Sequence, residues 1–61
     1  MIITPKTTLE EIKNIFPNQH WGLNKVNGIL GAIKASENFD VNLYEDNNGK
    51  LMIYINERIN A

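Results

Sequence analysis

Sixty-one residues with no cysteine, one histidine and a net charge of −1 exclude a disulfide framework, a metal centre built on histidine and cysteine, and general electrostatic attraction to nucleic acid or anionic membrane. A chain this short forms one domain, residues 1–61, that buries only about 60% of the surface its unfolded form exposes; without disulfide or metal, the remaining support is self-association or a partner. The opening Met1-Ile2-Ile3-Thr4-Pro5 is far too short for a signal-peptide core or a membrane span, and the expected setting is the cytoplasm.

Met1-Ile2-Ile3-Thr4 is apolar and β-branched and is expected to add a short strand to a sheet formed further along. Thr7 and Thr8 each stand three residues before a glutamate, Glu10 and Glu11, so either can close a capping box ahead of the apolar Leu9, Ile12, Ile15 and Phe16. A first helix over residues 8–16 follows, and Pro17 ends it, because the residue before a proline is pushed out of the helical region. Residues 17–22 form a connection holding His20 and Trp21. Trp21 reads as an anchor between the two helices or, alternatively, as an exposed aromatic in an interface, and His20 as a solvated loop residue.

The second helix spans much of residues 23–37, capped by Gly22 or Asn24. At about 100° per residue, Leu23, Val26, Ile29, Leu30 and Ile33 make an apolar stripe, and Gly28, Gly31, Ala32 and Ala35 gather on the opposite side. A surface helix normally carries charge there, and each glycine costs roughly 1 kcal/mol against alanine. That bare side suits close approach of another surface, either within the fold or from outside it.

The last third alternates. Phe39, Val41 and Leu43 point one way, and Leu51, Ile53 and Ile55 repeat the pattern after Asn47-Asn48-Gly49. A two-residue loop would oppose Leu43 to Tyr54 and mix the faces. A three-residue loop, with Gly49 in the left-handed conformation, opposes Leu43 to Ile53 and Val41 to Ile55 and sets Asp46 beside Lys50. The reverse side then carries Tyr44, Met52 and Tyr54. The expected fold is α+β, in the order strand, helix, helix, strand, strand, with both helices on one face of a small antiparallel sheet.

Nothing in this pattern points to catalysis. The single histidine lies in a loop, the single serine, Ser36, comes late in a helix, and the acids are scattered over helix starts and a hairpin tip, whereas acid–base catalysis needs paired groups with separated pKa values. No cofactor or metal is expected, and Gly28 and Gly31 lie within a helix, not in a phosphate-binding loop. Residues 1–36 carry four lysines and two acids, and residues 37–61 five acids against Lys50 and Arg58. Ten asparagines and a lysine-dominated basic set fit a product of a phage or other mobile element of a low-GC bacterium.

The element order resembles that of a winged-helix domain without its usual first helix. Met1-Ile2-Ile3-Thr4 matches the first strand, residues 9–16 the supporting helix, residues 24–36 the recognition helix and residues 40–55 the wing. The resemblance implies a compact, dimeric DNA-binding regulator whose contacts are Asn24, Lys25, Asn27 and Lys34. Against that use, the outward helix face is uncharged apart from its margins, and the wing tip carries Glu45 and Asp46, which phosphates repel. The preferred expectation is a small non-enzymatic interaction protein that binds and modulates a larger protein, or a second copy through facing helices, using Asn24, Asn27, Gly28, Gly31, Ala32, Ala35, Tyr44, Met52 and Tyr54.

Overall fold

The computed structural model describes residues 1–58. The chain forms β1 (Ile2–Ile3), α1 (Leu9–Ile15), α2 (Leu23–Ala35), β2 (Phe39–Glu45) and β3 (Leu51–Glu57), and the strands make one antiparallel sheet in the order β1-β2-β3. The α+β order is the expected one.

Of the two threonines able to start α1, Thr8 does so: its side chain accepts from the Glu11 amide at 3.2 Å and donates to the Glu11 carboxylate at 3.4 Å. Thr7 instead closes the preceding turn, its hydroxyl accepting from the Thr4 amide at 2.9 Å. The helix ends at Phe16, directly before Pro17. Gly22 takes the N-cap of α2 without a side-chain hydrogen bond. The hairpin has the three-residue loop. Leu43 faces Ile53, Val41 faces Ile55, and Gly49 adopts φ +79°. Asp46 holds the turn with its carboxylate, which accepts from the Asn48 and Lys50 amides at 2.8 and 2.9 Å.

The core consists of Ile3, Ile12, Phe16, Ile29, Ala32, Val41 and Leu43, drawn from every element except β3. Two corrections to the sequence reading follow. First, α2 is rotated about its axis relative to the expected stripe. Ile29, Ala32 and the fully buried Ser36, spaced i, i+3, i+7, face inward, whereas Leu23 is 76% exposed and Leu30 48%. Ala32 therefore belongs to the core and Ala35 packs against it, so neither lies on an open small-residue face. The reason lies at the C-terminal end of α2, where the Ser36 hydroxyl donates to the Ile33 carbonyl and the Ser36 carbonyl accepts from Arg58 at 2.9 Å. Ser36 is turned fully inside, Ile33 packs half-buried against the core, and Leu30 is left outside.

Second, the helices do not cover the whole inner face of the sheet. Val41 and Leu43 are buried, but their neighbours Ile55 and Ile53 remain 51% and 38% exposed. A helix of 7 residues and one of 13 extend only about 10 and 20 Å at 1.5 Å per residue. They leave the Ile53 and Ile55 side chains of β3 partly uncovered. Ile15, on α1, is likewise exposed. The molecule is elongated, 38 × 22 × 18 Å, with a radius of gyration of 11.6 Å, against about 10.5 Å for a compact chain of this length.

Candidate interaction surfaces

The turn of α2 away from its expected stripe gives its outer side an unusual composition. Leu23 and Leu30 lie one above the other at a seven-residue interval. Asn27, Lys34, Gly31, Asn24 and Gly28 continue the exposed arc around the helix, which thus holds one charge. A Cβ placed on Gly28 or on Gly31 would meet nothing within 4 Å. Close packing inside the fold therefore does not require either glycine, and of the four small residues that the sequence groups together, only Gly28 and Gly31 are open to an external surface.

Lys25, on the inward flank of this arc, is engaged. Its ammonium donates to Gln19 Oε1 at 2.9 Å and lies 5.8 Å from the centre of the Trp21 ring, within cation–π range. Gln19 in turn donates to the Gly49 carbonyl, tying the interhelical connection to the hairpin tip. Trp21 packs against the core, as the anchor reading expects, but its indole N–H is buried without an acceptor. His20 is exposed and borders a shallow depression with Gly22, Leu23, Asn24 and Lys25.

The reverse side of the hairpin brings the two tyrosines together. Tyr44 opposes Met52 and Asn42 opposes Tyr54, so the tyrosines are diagonal neighbours. Their rings stack with centroids 5.3 Å apart and planes 10° from parallel. The Tyr44 pKa is raised above its ordinary value, chiefly by the polar interaction with the Tyr54 side chain, with lesser effects from desolvation and the charges of Tyr54 and Asp46. Met52 is partly buried beside the exposed pair. These three residues form a patch on the side of the sheet opposite the helices.

Sequence reasoning missed Arg58. Its guanidinium donates to the carbonyls of Ser36, Glu37 and Phe39, at 2.9, 3.5 and 3.0 Å, and pairs with the Asp40 carboxylate at 3.0 Å. It satisfies carbonyls at the end of α2 and fastens the end of β3 to them. The sequence signal was faint: a lone arginine seven residues after the strand begins, with nothing to indicate which carbonyls it meets. Four of its five N–H donors are taken by the fold itself. The acids are similarly used, Glu11 at the start of α1 and Asp46 in the turn, and among the described residues no three metal-ligating side chains converge.

Comparison with family models, with curated proteins and with solved structures finds nothing that matches this chain. No helix among the described residues is long and apolar enough to cross a membrane.

Proposed function

We propose that this protein is a small non-enzymatic interaction module that binds a larger protein and modulates it. The observation that carries the reading is the outer face of α2: two exposed leucines, two asparagines and two glycines with open space beyond them, and a single lysine. A face of this kind costs helix stability and repels nothing, and the bare Gly28 and Gly31 let a partner's backbone come close while Leu23 and Leu30 supply apolar area. The stacked Tyr44 and Tyr54 offer a second contact, since aromatic side chains are enriched in the central parts of interfaces.

Placing the tagged chain in lysate of its native cells, nuclease-treated, tests this reading against a Gly31→Arg variant with an unchanged circular dichroism spectrum. One protein retained by the wild type and lost from the variant supports it, because a long charged side chain at residue 31 blocks close approach. Equal retention by the folded variant counts against the α2 face. DNA retarded at low salt, with affinity falling steeply as salt rises, would favour the nucleic-acid reading through Asn24, Lys25, Asn27 and Lys34.

A further inference from the structure

Of the ten asparagines in the chain, two, Asn27 and Asn48, stand directly before a glycine. Asparagine is a chemically labile residue, and this dipeptide has a reaction of its own. With no Cβ on the following residue, the glycine amide nitrogen meets no steric barrier to closing a five-membered ring on the asparagine side chain. Both asparagines are exposed, but the fold puts them in opposite settings. Asn27 and Gly28 lie inside α2, where the Gly28 N–H belongs to the helical ladder and residue 27 is fixed in the helical backbone region. Ring closure there requires residue 27 to leave the helix.

Asn48 and Gly49 lie at the hairpin tip. The Gly49 amide is held by a single turn bond, to the Asp46 carbonyl at 3.0 Å. Gly49 is already outside the regular strand conformation, at φ +79°, and an added Cβ on it would meet nothing within 4 Å. The Asp46 carboxylate engages the Asn48 backbone amide at 2.8 Å and leaves the side chain aside. Exposed tips of this kind open locally at far smaller cost than the interior of a helix.

We propose that Asn48 is a site of self-modification, at which the chain converts its own carboxamide to a carboxylate without an enzyme or a partner. The Gly49 nitrogen attacks Cγ of Asn48, the Cγ–Nδ2 bond breaks, and ammonia departs with the Gly49 amide proton, leaving a succinimide. Water then opens the ring and returns a proton to the Gly49 nitrogen. Opening at Cγ gives aspartate. Opening at the backbone carbonyl carbon of residue 48 gives isoaspartate, whose main chain runs through Cγ and is one methylene longer. Either product adds a negative charge to a tip that already holds Glu45 and Asp46. The longer chain of the isoaspartate also disturbs the loop that the Asp46 carboxylate closes onto the Lys50 amide at 2.9 Å, and displaces the Gly49 carbonyl that accepts from Gln19. Because Gln19 in turn holds Lys25 beside the Trp21 ring, the change at the tip reaches the start of α2.

Incubation of the folded chain at mildly alkaline pH, followed by peptide mapping with isoaspartate quantified, tests this. Asn48 should convert about tenfold or more faster than Asn27 in the folded chain, and at a comparable rate in urea. Asp46→Ala, which removes the acceptor for two tip amides, should speed conversion at residue 48, with an unchanged slow rate at residue 27 reporting that α2 stays folded. Asn48→Gln, which would need a larger ring, should abolish conversion at that position. The isoaspartate fraction, separated by its added charge, should show shifted Trp21 fluorescence. Equal rates at both sites in the folded chain, or conversion of Asn48 only after unfolding, overturns the proposal. Unshifted fluorescence in the isoaspartate fraction overturns the link from the tip to Trp21.

Discussion

Tyr44 shows how a neighbour reshapes one exposed side chain. Its ring stacks on that of Tyr54 and its hydroxyl is under the influence of the Tyr54 hydroxyl, so losing the proton forfeits a favourable polar interaction and creates a charge beside a second phenol. Folded Tyr44 therefore holds its proton above the ordinary value of 10.0. In the unfolded chain it ionises near that value, so the native state binds more protons and stability falls as pH rises beyond it. Below that pH the contribution is fully present. Ultraviolet titration should show one tyrosine ionising late in the wild type, and Tyr54→Phe should return Tyr44 toward the ordinary value. An unchanged late step in that variant would mean that the Tyr54 hydroxyl is not the cause.

At the scale of elements, α2 departs most from what an isolated helix would choose. Gly28 and Gly31 occupy exposed interior positions where an added Cβ meets nothing, so alanine at either should raise stability by about 1 kcal/mol. Urea unfolding of Gly28→Ala and Gly31→Ala should move the midpoint upward with an unchanged slope. A fall in stability would show that these positions serve the fold in some way that the open space does not reveal. The hairpin behaves in the opposite manner: Gly49 is needed, because its φ of +79° is one that side-chain-bearing residues rarely adopt. Two kinds of glycine thus occur in one short chain, one demanded by backbone geometry and the other tolerated against propensity.

The hairpin was also the most legible element. Alternation in residues 39–43 and 51–55 excludes the two-residue loop, because a one-residue slip moves every side chain across the sheet, and Asn47-Asn48-Gly49 supplies the three-residue loop that keeps the apolar set on one face. The capping glutamates and Pro17 marked α1 for similarly local reasons. The orientation of α2 was not legible in the same way. A helix with apolar residues over much of its circumference can bury any of several arcs, and here the arc through Ala32 and Ser36 was selected by contacts far away in sequence.

Across the whole molecule, Arg58 is the residue that closes the structure. It joins the end of β3 to the end of α2 and the start of β2 through three carbonyls and one carboxylate. Because both side chains of the ion pair are well exposed, the Asp40 contact itself contributes at most about 1 kcal/mol. The carbonyl contacts add more, so Arg58→Ala should cost about 1–3 kcal/mol and Asp40→Ala clearly less. Arg58→Lys should not recover the difference, since an ammonium cannot reproduce the forked guanidinium geometry. Equal losses for Arg58→Ala and Asp40→Ala in thermal or urea unfolding would refute this division.

By itself, the sequence determined the order of elements, the hairpin register, the three-residue turn and the start and end of α1. All of these depend on periodicity, capping and turn chemistry within a dozen residues. Only the tertiary structure decided which arc of α2 faces inward, that Ala32 is core and Leu23 surface, that Arg58 holds the helix end, and that β3 is an outer strand with Ile53 and Ile55 partly uncovered. These are decided by how much area two short helices can cover and by hydrogen bonds spanning some twenty residues. Local pattern carries neither.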